Sequence, residues 1–308
     1  MKKIFLTGAS GMVGRNILEA DWASNYDFIA PMLTERIDLF SYSSIKQILE
    51  KTKPDLVIHS AGLVGGIQAN IKNPVGFLLH NLDIGRNVII AAFETKVPNV
   101  INLGSSCMYP HDIIGPLSED LILKGPLEPT NEGYALAKIT IAKLCQYISK
   151  QYSGFRYKTI IPCNLYGRWD KFDRERSHMI PAIIAKIFDA RERNLSEVEI
   201  WGDGLSRREF MYAGDLANFI GVAIEKFSEL PQNINIGLGY DYTVTEYYYA
   251  ISAAINWFGK FNYDITKPSG MARKLCDISL LKKFGWEAPT KLPEGIKKTL
   301  HFFEGLAK

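Results

Sequence analysis

The chain reads as an α/β protein built on a doubly wound parallel sheet, and three observations predict it. Short apolar runs alternate with longer helical patterns through the first half of the sequence. The runs are nearly continuous in apolar residues, as strands covered on both faces should be. The first of them leads into Thr7-Gly8-Ala9-Ser10-Gly11-Met12-Val13-Gly14, a strand that turns through three glycines into a helix.

Taken in order, strands are expected at 3–7, 28–33, 56–60, 97–103 and 157–163. Residues 74–95 read as a helix with Pro74 in its first turn and Phe77, Leu78, Leu82, Val88, Ile89 and Ala92 on a broad apolar face. A second helix is expected over 131–152, with Ile139, Ala142, Leu144 and Ile148 available for burial. After Gly167 the rhythm breaks into a charge-dense segment, 168–177, before a helix resumes through Ile180 and Ile187. Such a break marks an inserted loop or a second lobe. The expected division is therefore a dinucleotide-binding domain over 1–167 and mainly a substrate lobe over 168–308, with part of the chain returning to the first domain. Beyond the break, 198–201 and 234–236 read as strands, and 243–257 and 293–303 as helices.

Composition narrows the function classes. With 47% hydrophobic residues in 308, the chain can bury a large core, which excludes a disordered or fibrous protein. A net charge of +3, from 36 basic against 33 acidic side chains, gives no field for gripping a polyanion, so nucleic acid is not the expected partner. Gly8 and Gly11 interrupt the first apolar run before it could span a membrane. Cys107, Cys145, Cys163 and Cys276 lie far apart without metal-type spacing, which points to no metal and to a reducing, cytoplasmic setting.

The glycine motif carries the first chemistry. Glycine lets the backbone approach a pyrophosphate held at a helix amino terminus, so Gly8, Ser10, Gly11, Met12, Val13 and Gly14 are expected to bind a dinucleotide, with Ala61 after the third strand. The acid that would read the 2′-hydroxyl of NAD is replaced by Thr34. Arg15 and Arg36 can meet a 2′-phosphate, while Glu35 argues the other way; the charge balance favours NADPH.

Tyr134 and Lys138 sit one helical turn apart, but the same spacing recurs at Tyr42/Lys46 and Tyr263/Lys267, which must be incidental. Context separates Tyr134: it follows a strand that ends in Gly104-Ser105-Ser106-Cys107, and its helix is amphipathic enough to pack beside the sheet. Ketone reduction needs a proton for the forming alkoxide. A phenol with a reference pKa near 10 can supply it if an ammonium lowers that value, which is the role expected of Lys138, and Ser105 can orient the carbonyl. The plainer alternative is a capping serine beside a surface tyrosine and lysine.

At these residues the chain resembles the extended short-chain dehydrogenases and, within them, the GDP-L-fucose synthase family of GDP-4-keto-6-deoxymannose epimerase/reductases. The shared stretches include Val64-Gly65-Gly66-Ile67, Gly104-Ser105-Ser106-Cys107-Met108-Tyr109-Pro110, Asn164-Leu165-Tyr166-Gly167, Ser177-His178, Trp201-Gly202, Arg208-Glu209-Phe210 and Arg273-Lys274-Leu275. The resemblance implies a Rossmann-type fold with a smaller α/β carboxyl-terminal substrate lobe, NADPH as cofactor, and a homodimer formed through the two helices near 77–92 and 139–151. It implies Ser105, Tyr134 and Lys138 as the reductase triad, and Cys107 and His178 as an acid/base pair for C3 and C5. Val64, Asn164, His178, Trp201, Arg208 and Lys274 would line the GDP-sugar site. The plainer roles for the pair are a small buried hydrophobe and a helix cap.

The sequence departs from the family at 168–176 and at Gly133, where the family has proline. These departures leave open a hexose or a heptose substrate, and reduction with or without epimerisation. A nucleotide-sugar 4-epimerase or 4,6-dehydratase with tightly held NAD, and a non-catalytic NADP sensor or scaffold, are the rival readings.

Overall fold

The computed structural model describes residues 1–31, 37–172, 177–267 and 271–306. Its centre is a six-stranded sheet in the order β10-β5-β4-β3-β1-β2. The strands are β1 (Lys3–Thr7), β2 (Asp27–Ile29), β3 (Leu56–His59), β4 (Asn99–Leu103), β5 (Arg156–Pro162) and β10 (Asn233–Ile236), and every pairing among them is parallel. The chain runs outward from β1 to β2 and then returns to place β3 on the opposite side. That reversal opens a crevice at the carboxyl ends of β1 and β3, the place where open α/β sheets bind ligands.

Strand alternation explains the layers. Ile4 and Leu6 face one side, with Phe219 and Ile220 of α7 (Ala213–Glu225), while Phe5 faces the other with Val88 and Ile89 of α4 (Pro74–Glu94) and Ile141 of α5 (Glu132–Gln151). The remaining helices of this half are α1 (Met12–Leu18), α2 (Tyr42–Thr52) and the short α3 (Ile67–Lys72). A second core gathers Ile183 and Ile187 of α6 (Met179–Glu192), Ile200 of β7 (Glu197–Trp201), Tyr247 and Ile251 of α8 (Val244–Ile255), and Ile296 of α10 (Leu292–Leu306). Around it, β6 (Asn164–Tyr166) pairs with β9 (Phe210–Tyr212), and β12 (Lys260–Asp264) with β7. A three-stranded piece runs β11 (Tyr242–Thr243), β8 (Arg207–Arg208), β13 (Arg273–Lys274), followed by α9 (Ser279–Phe284).

The elements match the expected ones to within a few residues at most ends, and the differences have local causes. The fourth strand begins at Asn99 rather than 97, because Lys96 turns left-handed at φ +63° and the Val97 amide closes the preceding helix on the Ala92 carbonyl. The second strand covers 27–29; of the expected remainder, residues 32–33 lie outside the described residues. Helix α8 starts one residue late because Thr243 caps it, its hydroxyl accepting from the Glu246 amide while the Glu246 carboxylate accepts from the Thr243 amide. Both incidental Tyr/Lys pairs are accounted for. Tyr42 and Lys46 share a surface contact with Glu94, and Tyr263 lies on a strand, not a helix.

His59, at the end of β3, is 2% exposed and shares a 2.9 Å hydrogen bond with the Thr7 hydroxyl. Burial first, and the Lys138 charge second, lower its pKa to about 3. The unfolded chain therefore binds a proton that the folded chain refuses between the ordinary histidine pKa of about 6.5 and that value. Its contribution to stability is intact above that ordinary pKa and lost as pH falls toward the folded one. His59→Gln should flatten the fall of Tm between pH 7 and 4, measured by thermal unfolding; an unchanged slope would remove His59 from the acid response.

Candidate active site

Three strand ends build the site. At the end of β1, Gly8 adopts φ +72°, and a Cβ there would meet the Ala61 backbone at 2.7 Å. A Cβ on Gly14 would fall 2.2 Å from the Gly8 carbonyl oxygen, so the turn closes only with glycine. The Gly11 amide donates to that same carbonyl, and Gly11 caps α1, which opens at Met12 and Val13 with Ser10 exposed in the turn before it. At the end of β3, the Ser60 hydroxyl donates to the Thr7 carbonyl at 2.6 Å and the Ala61 amide donates to the Thr7 hydroxyl at 3.3 Å. These contacts bind β1 to β3 at the crevice and leave a backbone-lined cradle. The residues fit a dinucleotide, because a pyrophosphate needs the close approach that the glycines permit.

At the end of β4, Ser105 begins a short 3-10 turn through Cys107, whose amide donates to the Ser105 hydroxyl at 3.3 Å. The Ser105 side chain lies near enough to the Tyr134 hydroxyl to lower its pKa. One turn along α5, the Lys138 ammonium donates to the Leu103 carbonyl at 2.9 Å and lies 5.8 Å from the Tyr134 ring centroid. Gly62, next to Val64, passes close to both Lys138 and Asn81. Sequence reasoning expected the ammonium to lower the phenol's pKa. The structure instead has burial, then the neighbouring Cys107, pushing Tyr134 up, and only Ser105 opposing them. Burial lowers Lys138 to about 8. In this pocket desolvation sets the direction, and it is the serine that favours the ionised phenol.

Cys107 is half-buried, and two donors reach its sulfur: Asn131 Nδ2 at 3.5 Å and Lys274 Nζ at 3.3 Å. The other cysteines are buried. His178 sits at the position before α6 without capping it, so the plainer expectation for this histidine fails. Burial, then the charges of Lys171 and Lys274, lower its pKa, which places it electrostatically in the same pocket. Arg208 is lowered by burial and feels Glu128. Asn164 Nδ2 donates to the Glu209 carbonyl at 2.9 Å. Trp201 stands apart, half exposed, its indole donating to Glu199 with the Lys267 ammonium 5.9 Å above its ring. Val64 is exposed at the mouth of the loop before α3.

Asn131 was missed as a contact of Cys107. It stands within Leu127-Glu128-Pro129-Thr130-Asn131-Glu132, but nothing in its spacing ties it to a cysteine 24 residues away.

The charge-dense segment is only partly described: Asp173, Arg174, Glu175 and Arg176 lie outside the described residues, as do Thr34, Glu35 and Arg36. Of what is described, Arg168 and Trp169 pack against α1, while the Lys171 charge acts on His178. Arg168 pairs with Glu19 at 2.9 Å, and the Trp169 indole donates to Glu19 at 2.8 Å. The Trp169 ring lies 4.7 Å from the Arg15 guanidinium and 4.9 Å from Phe302. These three anchors hold Trp169 at φ +65°, a strained value for a bulky residue. Arg15, expected near a 2′-phosphate, is thus stacked under an indole. Gly133 has a local explanation too: a Cβ would sit 2.9 Å from the Pro74 carbonyl, so it serves the close approach of α5 to α4.

The model of the NAD dependent epimerase/dehydratase family matches residues 4–237. The chain belongs to that family. It is 56% identical to a GDP-L-colitose synthase from Yersinia pseudotuberculosis, over 98% of this chain and 97% of the relative. It is 46% identical to a GDP-L-fucose synthase from Azorhizobium caulinodans, over 98% and 96% of the two chains. Among solved structures it is similar to a GDP-mannoheptose C4 reductase from Campylobacter jejuni with NADP bound, at TM-score 0.87 and 28% identity over 98% of each chain. The likeness to GDP-L-fucose synthases read from the motifs therefore holds along nearly the whole sequence, and the Rossmann-type fold with it.

Trp169→Ala should lower stability by about 1–2 kcal/mol, through the lost cation–π contact and ring packing, without altering sugar preference. Thermal unfolding and paired substrate assays check both halves; a changed sugar ratio would return this residue to the substrate.

Proposed function

We propose that this protein reduces the C4 ketone of a GDP-linked 4-keto-6-deoxyhexose with NADPH, in the synthesis of nucleotide sugars for surface polysaccharide. The observation that carries the reading is the convergence of Ser105, Tyr134, Lys138 and Cys107 at the end of β4, beside the glycine cradle. The hexose is supported by relatives named for fucose and colitose at 46–56% identity, against 28% for the heptose reductase. The same names argue against a 4-epimerase or 4,6-dehydratase. NADPH is supported by the NADP held in that reductase and by the absence of an acid at Thr34.

Residues of the glycine cradle, with Ala61 and Lys138, would hold the cofactor, which when bound supplies the hydride. The chain's own groups handle the oxygen and its proton. Ser105 donates to the C4 carbonyl and fixes its orientation. Tyr134, kept protonated by burial, delivers its proton as the alkoxide forms, and Ser105 steadies the phenolate left behind. Lys138, anchored on the Leu103 carbonyl, supplies nearby positive charge. Cys107 and His178 form a second acid/base pair: the C4 ketone acidifies the hydrogens on C3 and C5, and inversion needs a base and an acid on opposite faces. His178, held neutral by burial, suits the base or a relay to it.

The six-stranded sheet is the cofactor half and the second core the sugar half, with β10 the return of the later chain to the first. The protein pairs with a second copy through α4 and α5, whose outer faces expose Val75, Leu79, Leu136 and Tyr147. A cytoplasmic setting is supported by four free cysteines; among the described residues no helix is long and apolar enough to cross a membrane.

Incubation with NADPH and GDP-4-keto-6-deoxymannose, with the product assigned by NMR, should give C4 reduction, and NADPH should exceed NADH in kcat/KM. Tyr134→Phe should keep cofactor affinity and lose about 10²- to 10⁴-fold in rate. Unchanged turnover would remove Tyr134 from the reaction. In deuterated water without NADPH, label should enter the sugar at C3 or C5 and disappear in Cys107→Ser; a wild-type enzyme that reduces but incorporates no label is a reductase alone.

A further inference from the structure

Behind the site, a single carboxylate grips two arginines that have no role in the chemistry above. The Asp241 side chain is 2% exposed. Its Oδ1 accepts from Arg207 Nε at 2.6 Å, its Oδ2 from Arg273 Nε at 2.5 Å, and its main-chain carbonyl from Arg207 Nη2 at 2.8 Å. Burial alone would raise the carboxyl, yet the hydrogen bonds from Arg273 and Arg207 hold it below the usual carboxylate range. Glu246 adds a looser contact to Arg207 at 3.9 Å.

The two arginines stand on neighbouring strands. β8 and β13 run parallel, with Arg273 opposite Arg207 and Lys274 opposite Arg208. Side chains alternate along a strand, so Arg207 and Arg273 share one face and Arg208 and Lys274 share the other. The first face meets Asp241. From the second, Lys274 Nζ reaches the Cys107 sulfur at 3.3 Å.

We propose that Asp241 is a positioning residue for the substrate site: by fastening Arg207 to Arg273 it sets the register of β8 and β13, and so holds the Lys274 side-chain nitrogen against the Cys107 sulfur. Two guanidinium groups directly opposite each other would repel, and strands of two residues have few ladder bonds to resist. The shared carboxylate turns that repulsion into a bridge. A slip of one residue would carry Lys274 to the opposite face. Among the described groups at the sulfur, Asn131 and Lys274 donate to it, and Tyr134, whose pKa burial raises, is near enough to feel its charge. The pKa of His178 is lowered by burial first, then by the charges of Lys171 and Lys274. The consequence for catalysis rests on the proposed role of Cys107, but the contact itself does not.

The test is the rate at which iodoacetamide alkylates Cys107 in the intact protein, read by mass spectrometry of its peptide. The thiolate is the reacting form, so the rate at pH 7 responds to the loss of a basic group held at the sulfur. Lys274→Met should slow alkylation on the order of 10-fold at that pH, Asp241→Asn several-fold, and Lys274→Arg should restore part of the rate. All should converge with wild type at strongly alkaline pH, where every thiol is ionised. Asp241→Asn reacting at the wild-type rate while Lys274→Met is slow would overturn the positioning role. A difference that persists at alkaline pH would also overturn it, since it reports altered access. If Asp241→Asn does not fold, Arg273→Gln loosens the same grip and is read the same way. Deuterium exchange separates the two proposals: wild type that exchanges no label, with the alkylation pattern intact, sinks the epimerase chemistry and leaves this one standing.

Discussion

Everything in the site depends on a place where no side chain fits. Gly14 packs onto the Gly8 carbonyl and Gly8 onto the Ala61 backbone, so β1, α1 and the end of β3 meet through main-chain atoms alone. Thr7 then ties β1 to His59, Ser60 and Ala61 by its hydroxyl and carbonyl. Because the sheet reverses direction between these strands, the contact lies at the mouth of the crevice. The backbone approach that shuts out a Cβ leaves room for a phosphate.

The second determinant is burial. Lys138 is shifted by desolvation alone, and Tyr134, His59 and His178 first by desolvation and only then by neighbouring groups. Each is moved toward its neutral form, which suits a pocket that passes protons rather than holding fixed ion pairs. Lys274 meets Cys107, and the pKa of Arg208 is lowered by burial against the opposing charge of Glu128. In the proposed reaction, reduction and inversion share one ketone, their groups coming from different elements: β4 and α5 for one, the β4 turn and the start of α6 for the other.

The second core positions those later groups. The strands that present Arg208 and Lys274 are two residues long and draw their geometry from side-chain bonds, those of Asp241 on one side and of Glu209 on the other. Glu209 accepts from the Leu238, Gly239 and Cys276 amides and so joins β8 to the end of the six-stranded sheet. The 168–172 stretch plays a comparable part for the first half, clamping α1 through Glu19 and Arg15.

The sequence by itself determined the parallel sheet, the glycine turn and the Ser105, Tyr134, Lys138 set. Each of these is a local pattern: a continuous apolar run, a backbone conformation open to glycine, and a helical spacing after a strand end. The tertiary structure decided the rest. Asn131 and Lys274 reach Cys107 from 24 and 167 residues away, and Asp241 binds Arg207 and Arg273 from 34 and 32, separations that carry no periodic signal. It also reversed one sequence-based expectation, because solvent is a property of the folded pocket. Lys138 could not be known to titrate near 8, nor Tyr134 to be raised rather than lowered, until the surrounding water had been replaced by protein. Arg15 reads as a cofactor contact and Arg168 as the start of a segment that departs from the family; only the fold shows the Arg168–Glu19 ion pair and the Trp169 ring stacked on Arg15.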